Sequence, residues 1–241
     1  MIDALLDGLD FTEDGEGDVF PLQRNVARAL GKLGSRRAVG PLIAKLDSPD
    51  FYVREAASQS LGQLGDSQAI EPLRQSLAGG VSAAVRVPGK PHLLQPYDSI
   101  LEALGELGAT EAIANIEPFV SHPLEKVAYG AARAMYQLTG DAKYGQKLVA
   151  ALQGPDLQLR RAALSDVGAI GYLEAAKTIF NTEAENSLKL YSLKGLLEHP
   201  KAQGSALGHN PEGTPDNLQG DRDGELTAIQ TQIMDLMDGL L

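Results

Sequence analysis

The sequence predicts an all-α protein built as a right-handed α-solenoid, and three observations lead to that prediction. Residues 24–46 carry two successive apolar stripes with the i, i+3, i+4, i+7 spacing of a helix face. A Leu-Gly-x-Leu-Gly motif ends the first stripe at 30–34 and recurs at 61–65 and 104–108, and more loosely at 135–139 and 167–171. A period of about 30 to 45 residues with two helices per unit is typical of solenoids.

Each unit is predicted to be a helical hairpin. Gly34 ends the first helix, because glycine accepts the left-handed conformation, and Pro41 is tolerated in the first turn of the second helix. Helix starts of similar composition occur at 50–54 (DFYVR) and 156–160 (DLQLR). Ankyrin and tetratricopeptide patterns are absent, so we expect about five HEAT-like hairpins.

At the start of the chain, residues 1–10 are similar to the second helix of a repeat. The chain would then begin in mid-repeat, with one apolar face lacking its neighbour. Two explanations stay open: the natural start lies upstream, or a partner covers this end. Residues 12–18 (TEDGEGD) are expected to form a solvated acidic connection.

The longest departure from the period falls within residues 80–98, where the chain has about a dozen extra residues. Three prolines disfavour helix there, so residues 87–96 should form an ordered, non-helical excursion. Repeat insertions often carry the binding face. The alternative is a structural connector. Within an acidic protein this segment concentrates cationic and aromatic groups, namely Arg86, Lys90, His92 and Tyr97.

Helices then resume with further candidates. Tyr129 and Arg133 lie on adjoining turns, and Arg160 and Arg161 begin the hairpin near 157–166. For these two arginines the competing interpretation is an ion pair between repeats. Asp98 and Glu102, one helical turn apart, have the spacing for acid–base work, although two carboxylates at that spacing also suit a solvated surface.

The domain organisation follows from composition. Residues 1–199 are predicted to form the solenoid. Residues 200–224, rich in Gly, Pro, Asn and Asp, are predicted to be a disordered, flexible linker. Residues 225–241 form an apolar stripe on a short acidic helix, which either docks back on the solenoid or binds a partner's groove.

Composition excludes several classes of function. The net charge of −11 argues against nucleic acid as a partner. The chain has no cysteine, and its four histidines lack metal-ligand spacing. There is no phosphate-binding loop and no hydrolase or metalloprotease motif. No secretory signal or long apolar segment is present, so we expect a cytoplasmic protein with no transmembrane segment. The residues alone favour a binding scaffold whose ligand meets a concave face and the excursion.

Six segments carry a family resemblance: RNVARALGKLG (24–34), DFYVREAA (50–57), VPGKPHLLQPY (87–97), AARAMYQLT (131–139), DVGAIGYL (166–173) and SLKGLLEH (192–199). Together they resemble the E subunit of the E/F-type phycocyanin α-subunit phycocyanobilin lyase, over about residues 19–199. The chain differs at its N-terminus, where members of the family have about one more repeat, and in its Gly/Pro-rich tail.

The resemblance implies a heterodimer with a homologous F subunit, in a cyanobacterial-type cell near the thylakoid antenna. The pair would join phycocyanobilin, as substrate and not as a tightly bound cofactor, to a cysteine of the phycocyanin α subunit through a thioether bond. A cysteine-free enzyme is consistent with this chemistry, because the nucleophile belongs to the substrate protein.

An open-chain tetrapyrrole needs cations for its propionates, acceptors for its pyrrole N–H groups and apolar or aromatic walls. We expect Arg86, Lys90 and His92 to serve as cations, with Arg133, Arg160 and Arg161 in reserve. Asp98 or Glu102 would accept hydrogen bonds, and Tyr97 and Tyr129 would form walls. His92 or Tyr97 is the candidate for proton transfer. No metal is implied.

Three other functions stay open. The first is a related HEAT-like protein that carries bilin or binds phycobiliproteins without ligation, for example in antenna turnover, and the second is a generic scaffold. The third is a lyase that serves another phycobiliprotein subunit or also isomerises the bilin.

Overall fold

Helical hairpins form wherever the apolar periodicity predicts them. The computed structural model describes residues 1–11, 19–200 and 216–241, apart from the side chains of 216–225. The predicted acidic loop at 12–18 lies outside the described residues. The α-helices of the described chain are α1 Ile2–Asp10, α2 Phe20–Leu33, α3 Val39–Ala44, α4 Phe51–Leu64, α5 Ile70–Gln75, α6 Gly80–Ala83, α7 Tyr97–Glu106, α8 Ile113–Ile116, α9 Glu125–Thr139, α10 Ala142–Ala151, α11 Leu157–Ile170, α12 Ala176–Asn181, α13 Asn186–Glu198 and α14 Asp216–Asp238.

The chain divides into two compact units, Met1–Asp141 and Ala142–Leu241. Both consist of helices, and the described residues contain no β-strand beyond one isolated bridge. The prediction of an all-α, HEAT-like fold is therefore confirmed.

The first unit has two layers of helices. In the first layer α2 packs on α4, α4 on α7 and α7 on α9. In the second layer the shorter helices α3, α5 and α8 pack against the first-layer helix of the next repeat, and α1 packs on α2. Each hairpin thus buries its apolar face against its neighbours, as expected for a solenoid repeat.

The two glycines of the recurring motif have different tasks. The second one ends the helix in the left-handed conformation, with φ of 67° at Gly34 and 66° at Gly65. The first one allows neighbouring helices to approach, since a Cβ added at Gly105 would lie 2.7 Å from the Cα of Ala134. The motif therefore sets both the length of the helix and the spacing between helices.

The second unit also contains helical hairpins. Here α11 packs on α13, with α10 and α12 beside them. The C-terminal helix α14 packs against α12 and α13, where it buries Ile233. Asn186 Nδ2 donates to the Leu240 carbonyl at 3.0 Å.

The predicted linker at 200–224 falls only partly on described residues, since 201–215 lie outside them. From Asp216 onwards the chain is helical, so α14 starts before the predicted residue 225. Of the two roles open for the C-terminal helix, the structure has it docked on its own unit.

The proline-bearing excursion is ordered and mainly non-helical. After the single turn of α6, Arg86 and Leu93 form an antiparallel bridge. The turn between them includes Gly89 at φ 73°. The backbone then enters α7 directly after Pro96.

Among the described residues, no helix combines the length and the apolarity needed to cross a membrane.

Candidate functional site

One arginine holds the excursion in place. Arg54, in the first turn of α4, donates from Nη2 to the Leu94 carbonyl at 2.7 Å and from Nε to Gln95 Oε1 at 2.9 Å. Its Nη1 donates to the Ser48 carbonyl at 2.6 Å, in the loop before its own helix. The guanidinium therefore fixes the excursion to the start of α4.

Beside this clamp, His92 lies on an aromatic platform. Its ring stacks on Phe51 with centroids 4.2 Å apart and meets the edge of Tyr52 at 6.0 Å. Its Nδ1 lies 2.8 Å from the Leu93 carbonyl oxygen. The ring borders a cleft of about 510 Å³ that also includes Lys90. His92 is therefore oriented by contacts on both its face and its edge.

The platform continues onto the first-layer helices. The Arg24 guanidinium on α2 lies over the Tyr52 ring, 5.8 Å from its centroid. The buried Nε of Arg24 has no hydrogen-bond partner among the described residues. The excursion and the charged side chains of α2 are thus joined through His92 and Tyr52.

A band of charged side chains crosses the four first-layer helices. We call it the charged band; its members are Arg24 and Arg28 of α2, Glu55 of α4, Asp98, Glu102 and Glu106 of α7, and Lys126 and Arg133 of α9. Cations at both outer helices flank the carboxylates of the two inner ones.

At the centre of the charged band, two carboxylates share one ammonium. Asp98 is buried, with Oδ2 2.5 Å from Nζ of the exposed Lys126. Burial raises the pKa of Glu55; Lys126 acts against that rise, while Asp98 adds to it. Glu55 also lies 3.8 Å from Nη2 of Arg28. The site therefore holds a carboxylate that burial makes easier to protonate.

The far end of the charged band is an arginine held between two glutamates. Arg133 lies 3.4 Å from Glu102 and donates from Nη2 to Glu106 Oε1 at 2.8 Å. Arg133 is buried, with 9% of its surface exposed. The role predicted for Arg133, as a reserve cation for the bilin, starts from this paired state.

Not every predicted residue lies at this surface. Tyr97 is only 1% exposed, and its ring stacks on Phe119 at 5.6 Å between centroids. Burial also raises the pKa of its phenol. The ring is therefore enclosed by the core, and the catalytic role of Tyr97 stays a prediction.

The other candidates of the first unit differ in exposure. Arg86 and Lys90 are exposed on the excursion, whereas Tyr129 is 4% exposed within α9. Asp98 and Glu102 both face cations and are not the solvated surface pair that was the alternative.

Arg160 and Arg161 belong to the second unit, whereas all members of the charged band belong to the first. Arg161 pairs with Glu185, the residue before α13, so the predicted ion pair between repeats is present. Arg160 differs, because its Nη1 donates to the Gly154 carbonyl at 2.5 Å.

Several residues of the site were missed from the sequence: Arg24, Glu55, Glu106, Lys126, Arg54 and the two aromatics of the platform. Some of them could have been found by comparing the residues that stand at the same distance before the recurring motif in each repeat. Arg24, Glu55, Asp98 and Tyr129 all lie six residues before the motif that ends their helices, and Arg28, Gln59, Glu102 and Arg133 lie two residues before it. Two repeat positions thus generate most of the charged band.

The arrangement suits binding of an organic ion better than hydrolysis. Carboxylates at the centre can accept N–H groups, and cations at the rim can pair with acidic groups. Among the described residues, no group of three His, Asp or Glu side chains could hold a metal ion.

Comparison with known proteins gives a consistent result. The HEAT repeats family matches residues 2–87. The chain is 52% identical over 242 residues to the phycocyanobilin lyase subunit alpha of Nostoc sp. (strain PCC 7120), covering 100% of this chain and 80% of the relative. It is also 52% identical to the protein of that name from Picosynechococcus sp., with 100% and 82% covered. The structure of the complex of CpcE and CpcF of phycocyanin lyase from Nostoc sp. contains a similar chain, with a TM-score of 0.83 and 50% identity, covering 100% of this chain and 82% of that one.

Proposed function

This chain belongs to the family of phycocyanobilin lyase alpha subunits, and from that premise we propose that it is the E-type subunit of a heterodimeric bilin lyase. With a homologous F-type subunit, it attaches phycocyanobilin through a thioether bond to a cysteine of the phycocyanin α subunit. The observation that carries this function is the identity of about half over the whole chain to relatives of that name.

The proposed chemistry is an addition and needs no oxidant. The thiol of the antenna protein adds across the ethylidene double bond of bilin ring A, so a carbon–sulfur bond forms and the thiol proton moves to the bilin. A chain without cysteine suits this reaction, because it offers the electrophilic bilin no competing thiol. Its task is to hold one bilin conformer and to present it to the substrate cysteine.

We place the bilin across the charged band and the adjoining excursion. Arg24, with an unsatisfied buried Nε, and the exposed cations Arg86 and Lys90 are the candidates for the two propionates. Asp98, with Glu55 beside it, is the candidate acceptor for pyrrole N–H groups. Binding then requires Asp98 to share its carboxylate between Lys126 and the bilin.

His92 is the proposed proton-transfer group. The aromatic platform fixes its ring, and the ring borders an open cleft. The predicted alternative, Tyr97, lies in the core. Glu102 and Arg133, which pair with each other, shape the far wall together with Tyr129. Arg160 and Arg161 are left out of this site.

The bilin is a substrate in this proposal, with no tightly bound cofactor, and the working compartment is the cyanobacterial cytoplasm. A non-ligating bilin carrier or antenna-turnover protein is the competing function. A lyase acting on another phycobiliprotein subunit is a variant of the same chemistry.

The test is co-production of this chain with an F-type subunit, the phycocyanin α subunit and phycocyanobilin, omitting each component in turn. We expect a fluorescent α-subunit band on a denaturing gel that requires both lyase chains. Bilin colour that stays with the lyase chains and never becomes covalent would favour a carrier. No bilin association by a folded chain would refute the assignment.

The position of the site is tested separately with purified bilin. We expect Arg24→Met to weaken bilin binding about tenfold in an absorption titration, the value of one charge-assisted hydrogen bond. The matched control is Arg36→Met, an exposed arginine outside the charged band. Equal affinities in the two variants would place the bilin elsewhere.

A further inference from the structure

The clamp arginine of the first unit has a counterpart in the second. A shift of 106 residues superposes the sequence 46–54 (LDSPDFYVR) on 152–160 (LQGPDLQLR), so that Arg54 corresponds to Arg160. Both arginines donate from Nη1 to the carbonyl oxygen six residues earlier, that of Ser48 in one case and Gly154 in the other. Two repeats thus build the same arginine pocket from local sequence.

The correspondence extends to the second helix of each hairpin. Ser76 Oγ donates to the Pro72 carbonyl, and Thr182 Oγ1, at the same shift, donates to the Thr178 carbonyl. After this point the two repeats differ. The first unit continues into the excursion, whereas the second enters α13 at Asn186, a few residues later.

Because of this difference, the other two donors of the guanidinium, Nη2 and Nε, differ in their hydrogen bonding between the two repeats. In the first unit Leu94 and Gln95 of the excursion accept from Nη2 and Nε of Arg54, and a cleft of about 510 Å³ lies beside these contacts. In the second unit the Nε of Arg160 is buried without a hydrogen-bond partner among the described residues, and a hydrogen bond from Nη2 is likewise lacking there. Arg160 lies in the wall of a cleft of about 390 Å³, which Thr178, Asn181 and Glu183 also line.

We infer that the Arg160 cleft is a docking site for an extended polypeptide segment of the second lyase subunit. The segment presents a main-chain carbonyl to Nη2 and, on the next residue, a side-chain carbonyl such as that of glutamine to Nε. The first unit supplies the template for this chemistry, because Leu94 and Gln95 make the same two contacts within the chain. The inference rests on the proposed heterodimer.

The small size of the contact argues for a partner in a stable complex. Two hydrogen bonds to a guanidinium add roughly a hundredfold to an association constant, too little to hold a free peptide at micromolar concentration. A segment carried by a bound subunit is present at an effective concentration of about millimolar. A permanent partner meets that condition better than a transient substrate protein.

Residues 201–215 of the chain lie outside the described residues, and a crosslink to them is therefore one of the outcomes that the test distinguishes.

Photo-crosslinking in the intact heterodimer tests the inference. A photoreactive amino acid replaces Asn181, which is exposed and lines the cleft, and in a matched chain it replaces Lys177, exposed on the same helix outside the cleft. We expect a crosslink from position 181 to one segment of the second subunit, identified by mass spectrometry, and at least tenfold less from position 177.

Variants then show whether the crosslink depends on Arg160 or only on the closeness of the two surfaces. Arg160→Gln should reduce the crosslink from position 181 at least tenfold, while Arg161→Gln leaves it unchanged. Because Arg160→Gln also removes the contact with Gly154, Thr178→Trp serves as a second variant that fills the cleft and spares the arginine. A crosslink that persists in both cleft variants would overturn the inference, as would one to the phycocyanin α subunit or to residues 201–215.

The proposed function and this inference fail in different ways. A heterodimer that ligates bilin but gives no crosslink from position 181 refutes the docking site alone. A heterodimer that crosslinks as expected but never ligates bilin refutes the lyase function alone.

Discussion

The imidazole of His92 lies flat against the ring of Phe51, with centroids 4.2 Å apart and planes 12° apart. This contact joins the excursion to the first turn of α4 and fixes where the ring nitrogens point. If His92 transfers a proton during ligation, the platform is part of the machinery although it carries no titratable group.

We therefore predict that His92→Ala lowers the rate of thioether formation about a hundredfold, the usual contribution of a positioned acid or base. Phe51→Leu, which keeps an apolar contact but removes the stack, should lower the rate about tenfold and leave its pH dependence unchanged. Tyr97→Phe, a change within the core, should leave the rate near that of the wild type. The measurement is bilin fluorescence of the denatured α subunit against time, and an unchanged rate in His92→Ala would remove His92 from the mechanism.

Arg54 gives a prediction about stability. Its three hydrogen bonds to Ser48, Leu94 and Gln95 hold the excursion, so Arg54→Met should lower the free energy of unfolding by about 2 kcal/mol. Amide exchange should rise over residues 85–95 before global unfolding. Arg86→Met, an exposed arginine on the same excursion, is the control and should change neither quantity. Equal exchange in both variants would show that proline content alone orders the excursion.

Alanine substitutions at two glycines should have opposite effects on stability, because only Gly105 lies where two helices, α7 and α9, approach closely. A Cβ at Gly105 would lie 2.7 Å from the Cα of Ala134, so Gly105→Ala should destabilise the chain by about 1 to 3 kcal/mol. Gly40 lies in α3 with no atom within 4 Å of its added Cβ, so Gly40→Ala should stabilise by up to about 1 kcal/mol. Urea unfolding measures both. A neutral Gly105→Ala would mean that the two helices separate at no cost.

Glu55 gives a pH dependence whose sign can be worked out. Burial raises its pKa in the folded state, so the folded chain holds this proton more tightly than the unfolded chain. As pH rises from 4.5, the ordinary pKa of a glutamate, through the raised pKa, ionising the buried carboxyl costs stability. Glu55→Gln should therefore be more stable than the wild type at pH 7, with the difference shrinking as pH falls towards 4.

The control for this prediction has the opposite sign. Arg74 and Gln75 hydrogen-bond to Glu71 and lower its pKa, so its carboxylate stabilises the fold at neutral pH and that contribution is lost in acid. Glu71→Gln should be slightly less stable than the wild type at pH 7. Thermal unfolding of the two variants between pH 4 and 8 distinguishes a specific effect of Glu55 from a general effect of charge.

Much of the fold could be predicted from the sequence, because the signals are local. The apolar periodicity, the glycine that ends each first-layer helix and the prolines of residues 87–96 each act on a few neighbouring residues. The division between Asp141 and Ala142 has no such local signal, and neither has the start of α14 at Asp216. Both features depend on packing between helices that are distant in the sequence.

Less of the candidate site could be predicted from the sequence, because its contacts join residues that are far apart in the chain. The excursion was visible as an insertion, but Lys126 becomes important only because α9 lies beside α7 and its ammonium reaches Asp98. The burial of Tyr97 was equally hidden, since this residue at the end of a polar loop begins the buried face of α7. Comparison of equivalent positions in each repeat would have identified Arg24 and Glu55 from the sequence alone.

The excursion between α5 and α7 has a consequence for how such chains diversify. α4 still packs directly on α7, although the chain between them is about a dozen residues longer than in the other hairpins. An insertion at this junction therefore leaves neighbouring repeats undisturbed, and one recombination event could install or replace a recognition element without redesigning the array. The repeat array and its ligand preference can therefore evolve independently of each other.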